Sequence, residues 1–349
     1  QDAIGDFIIW LDTAKEYRKL YPEDEYEIIL VGNELWSGLA KELPHWDKVI
    51  PVNFHKFKTI SRYRRFILKQ IKNLQADIAI QPTYSREFYH GDSLARASGA
   101  YRKISSSGDM SNRNRLKKWL ANRWHTELIP ATIEPLTELE RNAEFFSKLI
   151  KNNYSPGYTK LETHNFCKIQ GFKHDDFYVL SIGAEKKYRE WGIDSYTAIA
   201  QLIYKHTGWV GIISGVEKDF NLGEKIQSLS GVPLENLAGK TSLSELASLL
   251  GKSHLVISNE TGTAHISAAV GTPTVCILGG GHFDRFAPYP DLPGKNTFLK
   301  PIFNKMLCYN CNWECVYPIK KDEPAQCIQN VSVEAVWKEV EKIIEADVS

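Results

Sequence analysis

The residues best placed to do chemistry begin where an apolar run ends. Leu255-Val256-Ile257 stops at Ser258-Asn259-Glu260-Thr261-Gly262, and a small-residue amphipathic run from Thr263 follows. An acid, a hydroxyl and a glycine between a buried strand and a helix make a strand-to-helix turn. Thr261 suits the N-cap position, and Gly262 removes a side chain where something must approach the backbone. The free amides of the first turn, Gly262 and Thr263 among them, and the helix dipole favour an anion, above all a phosphate. The plainer alternative is a Thr that caps a helix beside a Gly that eases a turn. His265, one turn in, reads better as a histidine satisfied in the core or supporting the turn than as a catalytic one.

Further stretches point to the same ligand. "SIGAEKKYREWG" (181–192) follows a strand pattern and carries Lys186, Lys187 and Arg189. Cations at the carboxyl end of a strand suit a diphosphate, which a guanidinium grips through two hydrogen bonds; a solvated basic loop is the alternative. "IISGVEKDF" (212–220) ends a strand with Gly215 and then Glu217. That carboxylate either accepts from ribose hydroxyls or opens a helix at the surface. None of these is Gly-x-Gly-x-x-Gly or a phosphate loop, so neither a Rossmann dehydrogenase nor a phosphate-loop nucleotidase is supported. Near the amino terminus Asp6 follows Ile4-Gly5 at the start of a helix pattern. It either caps that helix or serves a ligand on the opposite domain as a general base. Cys308, Cys311, Cys315 and Cys327 have the density of a structural zinc or iron site. Free thiols are the alternative, and no catalytic role follows from them.

The elements that must position these residues alternate along the chain. Strand patterns fall at 26–32, 48–52, 77–82 and 102–107, then at 177–184, 209–215, 235–239, 254–259 and 274–280. Helix patterns lie between them, at about 7–20, 33–43, 58–74 and 88–98, then 195–206, 219–229, 243–250 and 262–270. Alternation of this kind implies parallel sheets with crossover helices, and here it occurs twice. A charged helical pattern at 135–153 followed by "YSPGY" separates the halves. The expected domains are therefore 1–155 and 156–331, the second carrying the cysteine segment 308–327, with a carboxy-terminal helix at 332–349. Two doubly wound domains would face a central cleft at their strand carboxyl ends.

With 43% hydrophobic and 24% charged residues and a net charge of +1, the 349-residue chain has an ordinary globular composition and no bias toward nucleic acid. No apolar run is long enough to span a bilayer, and no secretory leader pattern opens the chain, so the expected compartment is the cytoplasm.

Taken together these residues resemble glycosyltransferase family 9, the ADP-heptose:lipopolysaccharide heptosyltransferases. Glu260, Thr261, Gly262, His265, Ala268, Ala269, Gly271 and Pro273 match the family's donor-site pattern. Gly5-Asp6 matches its amino-terminal element, and Gly183-Ala184, Arg189 and Trp191 match a third. The resemblance implies an α/β, GT-B architecture of two Rossmann-like domains, nucleotide-sugar held by the carboxy-terminal half and acceptor by the amino-terminal half. It implies an inverting transfer of heptose or a related sugar from an ADP-activated donor to a hydroxyl of a lipopolysaccharide core or related glycan, with no cofactor or metal needed for the chemistry. Asp6 would be the base. Thr261 and Gly262 would give amides to the diphosphate, with Arg189 and Lys187 neutralising the departing ADP. Glu217 would hold the ribose and Leu243 line the adenine pocket.

Two departures from the family pattern stand out: Glu260 where Asp is commoner, and "GGGHFDRFAPYP" (279–290), which brings His282 and Arg285 toward the diphosphate. On the acceptor side, "SRYRRFILKQIK" (61–72) offers Arg62, Arg64 and Arg65, and "RNRLKKWLANRW" (113–124) offers Arg113, Arg115, Lys117 and Lys118. Such helices suit an anionic glycolipid or the cytoplasmic face of an inner membrane; solvated helix faces are the alternative. Competing readings are a nucleotide-sugar epimerase or hydrolase of the same architecture, and a non-catalytic metal-dependent binding protein built on the cysteines.

Overall fold

Short β-rich runs followed by amphipathic helices fold this chain into parallel sheets covered by helices. The computed structural model describes residues 3–320 and 323–348. Two compact units result: one holds Thr13–Pro156, the other Ile4–Asp12 and the chain from Gly157 onward. The elements of the first half are α1 (Ile4–Ala14), α2 (Tyr17–Leu20), β1 (Ile29–Asn33), α3 (Glu34–Ala40), β2 (Lys48–Val52), α4 (Phe54–Thr59), α5 (Ser61–Lys72), β3 (Ile78–Gln81), α6 (Gly91–Ala97), β4 (Arg102–Ser106), α7 (Arg115–Asn122), β5 (Glu127–Ile129) and α8 (Glu138–Ile150). Strands β1 and β2 pair in parallel, as do β3, β4 and β5 in that order.

Local chemistry explains the boundaries. Thr137 and Glu140 form a reciprocal capping box that starts α8. The helix pattern expected at 58–74 is two helices, because Asn53 caps α4 from Lys56 N–H at 2.8 Å and Ile60 turns extended before α5. Strands β5 and, in the second unit, β11 (Leu299–Ile302), of three and four residues, lie outside the expected strand patterns.

The first unit encloses a charged cluster that no sequence pattern announced. Asp92 is fully buried and meets Arg86 Nε at 3.2 Å, Arg113 Nη1 at 3.1 Å and His125 Nε2 at 3.2 Å. Arg86 also donates to Ser105 Oγ at 2.9 Å and Asn122 Oδ1 at 2.5 Å. Burial pulls the Arg86 guanidinium down to about 10 and also lowers Arg113 and His125. Arg113, expected to serve an anionic glycolipid or membrane surface or else a solvated face, is instead a buried tie.

The second unit continues with β6 (Phe177–Ser181), α9 (Ile193–Thr207), β7 (Val210–Ser214), α10 (Phe220–Ser230), β8 (Leu234–Asn236), α11 (Leu243–Leu250), β9 (Val256–Asn259), α12 (Gly262–Ala269), β10 (Thr274–Ile277), β11 (Leu299–Ile302), α13 (Gln326–Gln329) and α14 (Val333–Val348). Its six parallel strands run β8-β7-β6-β9-β10-β11. Renumbered from β6, this is the 3-2-1-4-5-6 order of a doubly wound dinucleotide fold, whose order reverses between β6 and β9. Helix α14, the expected carboxy-terminal helix, buries Val336 and Val340 in the same core as Ile199, Ile203 and Ile257.

Helix α1 departs most from expectation, because residues 4–12 belong to the second unit rather than the first. Phe7, Ile8, Ile9 and Leu11 are buried. The Asp12 carboxylate accepts from Gly157 N–H at 2.7 Å, and Thr159 Oγ1 donates to Ile8 O at 2.7 Å. These ties fix the segment that carries Asp6.

Asp92→Ala would leave two guanidiniums buried without their anion, a loss of about 3–5 kcal/mol. Urea denaturation of the two proteins measures it; a change under about 1 kcal/mol, the worth of a surface pair, would show that the cluster carries no net stability.

Candidate functional site

The order reversal between β6 and β9 puts two loops at the place where such sheets bind ligands. One is the segment after β6, residues 182–192; the other is the corner Glu260-Thr261 before α12. Asn259, the last residue of β9 and fully buried, stitches them together. Its amide nitrogen donates to Ile182 O at 2.9 Å and Gly183 O at 3.2 Å, and its oxygen accepts from Trp191 N–H at 3.0 Å.

At the corner, Thr261 occupies the N-cap position of α12 with extended backbone, but its side chain makes no capping bond. Its hydroxyl lies 3.4 Å from Ser258 Oγ instead. The first amides of a helix have no acceptor within it, so those of Gly262 and Thr263 have no partner inside α12. The expectation that Gly262 admits a close approach holds, but the approaching group is the chain itself. A β-carbon there would stand 2.7 Å from Ile4 Cβ. The fit is mutual: a β-carbon on Gly5 would stand 2.9 Å from His265 Cδ2. Helices α1 and α12 thus meet start to start, which puts Asp6, in the first turn of α1, beside the corner.

Glu260 is buried and receives Arg189 Nη2 at 3.1 Å on its carboxylate and 3.2 Å on its carbonyl. Burial pushes this carboxyl up to about 7; the Arg189 guanidinium opposes that rise, the Asp6 charge adds to it, and Arg285 opposes it. Asp6, Glu260, Arg189 and Arg285 therefore share one electrostatic neighbourhood in the second unit.

Other expected ligand residues sit differently. Lys187 Nζ is paired to the buried Glu190 at 2.6 Å and only half-exposed. His265 is buried, donates to or accepts from Tyr289 Oη at 2.8 Å, and is held down to about 4 by burial. It supports Gly5 and does not open toward solvent. Glu217 is exposed after β7, and a β-carbon on Gly239 would stand 2.8 Å from Glu217 Cα. Leu243 is half-buried at the first position of α11, behind a Ser242–Glu245 capping box. Asp219 went unnoticed in the sequence: its buried carboxylate accepts from Val216 N–H at 3.0 Å and fills the space beside Gly183 and Gly215. Those two glycines after successive strands were its signal.

Away from this corner, the basic helix α5 splits by role. Arg62 and Arg65 are exposed, whereas Arg64 donates to Tyr89 O and Ser93 Oγ, each at 2.8 Å, and lies 4.4 Å over Phe57. The cysteines Cys308, Cys311, Cys315 and Cys327 are free thiols lining one small cavity with Gly280 and Met306. Nothing among the described residues supports the expected zinc or iron site, since no group of three Cys, His, Asp or Glu is found there that could hold a metal ion. Burial raises the Cys315 and Cys327 thiols, and the neighbouring cysteines add to the rise.

Comparison with known proteins decides the family. The profile of glycosyltransferase family 9 (heptosyltransferase) matches residues 68–304, more than half of the chain. The chain belongs to glycosyltransferase family 9. It is 26% identical over 304 residues to the lipopolysaccharide core heptosyltransferase OpsX of Haemophilus influenzae, covering 83% of this chain and 80% of OpsX. A family 9 glycosyl transferase structure from Veillonella parvula superposes with a TM-score of 0.74 at 16% identity, over 98% of this chain and 94% of that one. The Escherichia coli heptosyltransferase WaaC, solved with ADP-2-deoxy-2-fluoro heptose, gives 0.67 at 17% identity, over 98% and 97%. Like other members, this chain is a transferase of the heptosyltransferase family, with the α/β, GT-B fold of two Rossmann-like units that its sequence implied.

The raised Glu260 carboxyl has a signed consequence. Unfolded, it titrates near 4.5; folded, near 7. The folded state binds the extra proton between those values, so this group's contribution is complete below pH 4.5 and is lost as pH rises toward 7. Glu260→Gln remains neutral. Its melting temperature relative to the native protein should therefore climb from pH 4.5 to 7 and level off above; a flat difference would show Glu260 ionised throughout.

Proposed function

We propose that this family 9 enzyme transfers a heptose, or a closely related sugar, from an ADP-activated donor to a hydroxyl of a lipopolysaccharide core or related glycan, with inversion and without a divalent metal in the chemistry. The observation that carries the reading is the uncapped start of α12 at the sheet's reversal point, with Asp6 held beside it by the Gly5–His265 and Ile4–Gly262 contacts. The name of the similar WaaC structure, which includes an ADP-heptose analogue, supports the donor, and the name of OpsX supports the acceptor class.

The second unit binds the donor and the first the acceptor. Asp6 removes the proton of the acceptor hydroxyl as its oxygen bonds the anomeric carbon from the face opposite the diphosphate. The bond to the diphosphate oxygen breaks, ADP departs, and the configuration inverts in the single displacement. An unassisted sugar hydroxyl is a weak nucleophile, and a positioned base contributes about 100- to 10,000-fold. Charge grows on the leaving diphosphate as the bond breaks, so the amides of Gly262 and Thr263 and the Arg189 guanidinium, with Arg285 beside it, stabilise the transition state more than the ground state. Glu260 fixes Arg189, Glu217 holds the ribose hydroxyls, and Leu243 borders the adenine.

Asp6→Ala should lower kcat at least 100-fold and leave ADP binding within about twofold, since the carboxylate acts on the acceptor. Stopped assays of sugar transfer with ADP affinity measured in parallel decide it; unchanged turnover defeats the base assignment. Among ADP, UDP, GDP and CDP, ADP should give the largest thermal stabilisation, and equal shifts would remove the adenine reading.

Working at the cytoplasmic face of an inner membrane follows from the lipid-linked acceptor. No helix among the described residues is long and apolar enough to cross a membrane. Exposed Phe66 stands with Arg62 and Arg65 on α5, and exposed Leu116 and Trp119 stand on α7. Apolar side chains among cations suit the surface of an anionic bilayer. Replacing Arg62, Phe66 and Arg65 by Ser should abolish cosedimentation with vesicles rich in anionic phospholipid; retained binding would place the contact elsewhere or nowhere on this helix.

A further inference from the structure

The cysteine-rich segment reaches the donor corner through one side chain. Trp313 lies between Cys311 and Cys315, and the Arg189 guanidinium sits 4.7 Å from the centre of its ring. Tyr188 packs against the same indole at 5.7 Å, and His282 meets it edge-on at 6.3 Å.

The glycine tract 279–281, which departs from the family pattern, is the bed for this segment. A β-carbon on Gly279 would stand 2.6 Å from Trp313 Cη2, one on Gly281 would collide with the same indole, and one on Gly280 would collide with Tyr309. Asn310 and Asn312 donate from their backbone to Gly280 O at 2.7 Å and Gly281 O at 2.9 Å. Cys308, Cys311, Cys315 and Cys327 line one small cavity with Gly280. Trp313 itself has a φ of +61°. A bulky side chain in that left-handed region is strained, and such strain persists where surrounding structure over-determines it. Farther along, Ala325 N–H donates to Tyr188 O at 2.7 Å. The segment thus holds the Lys187–Arg189 turn by its backbone at one point and by an aromatic face at another.

We infer that Trp313 is a positioning residue for donor binding: its indole face fixes the Arg189 guanidinium for the diphosphate, and the cysteine-rich segment is the frame that presents it. Glu260 holds the guanidinium through its edge, and the indole covers its face. A guanidinium held on both needs no reordering when the diphosphate arrives, which is where affinity is gained. The inference rests on the reading of Arg189 as a diphosphate ligand.

The test compares Trp313→Leu, Trp313→Phe, Arg189→Ala and the Arg189→Ala/Trp313→Leu pair in the full chain, with Kd for ADP and for adenosine by calorimetry. Trp313→Leu should weaken ADP roughly 3- to 30-fold and leave adenosine, which has no phosphate, within about twofold. Trp313→Phe keeps a smaller aromatic face and should recover part of the loss; should Trp313→Leu fail to fold, the loss that remains in Trp313→Phe still falls on ADP and not on adenosine. In the Arg189→Ala background, Trp313→Leu should add nothing. Unchanged ADP affinity in Trp313→Leu, an equal loss for adenosine, or a full additional loss in the double variant each overturns the positioning role. Arg189→Ala with unchanged ADP affinity overturns the underlying reading of Arg189 and this inference with it.

Discussion

Two glycines face two side chains where α1 meets α12, and neither has room for a β-carbon: Gly5 against His265, Gly262 against Ile4. From this steric fit the rest of the candidate site follows. It brings an amino-terminal helix into the carboxy-terminal unit and sets a carboxylate in that helix's first turn. At the start of α12 the Thr261 side chain makes no capping bond. Apolar burial of Phe7, Ile8 and Leu11 supplies the attraction that holds the contact, while the glycines set how near the backbones come. His265 belongs to this contact rather than to the ligand, and Tyr289 satisfies its ring nitrogen.

Charge around the corner is arranged by partnership, not by number. Of the cations in the loop after β6, Lys187 is committed to Glu190, and Arg189 is shared between Glu260 and Trp313. A buried carboxylate costs less when a guanidinium faces it, and the guanidinium in turn gains a fixed direction. The same economy appears in the first unit, where Arg64, Arg86 and Arg113 spend their hydrogen bonds inside the fold. A count of basic residues along α5 and α7 therefore overstates the charge available to an anionic acceptor; Arg62 and Arg65 are the members of the α5 trio left at the surface.

The cysteine segment has a packing role that its spacing does not announce. Its thiols lie close together around one cavity, yet no group of three Cys, His, Asp or Glu that could hold a metal ion is found among the described residues. Its aromatic side chains fill the space above Gly279, Gly280 and Gly281. The glycine tract is thus explained by what packs on it.

The sequence by itself determined the doubled α/β pattern, most element boundaries within a few residues, the family, and the strand-to-helix corner at 260–262. These are legible because apolar periodicity and turn chemistry act between near neighbours in the chain. It did not determine which unit owns Asp6, which arginines are free, that Asn259 ties the two loops together, or that Trp313 lies on Arg189. Each of those depends on groups tens to hundreds of residues apart meeting at van der Waals or hydrogen-bond distance. Such meetings are set by the packing of whole sheets and helices, and only the tertiary structure decides them.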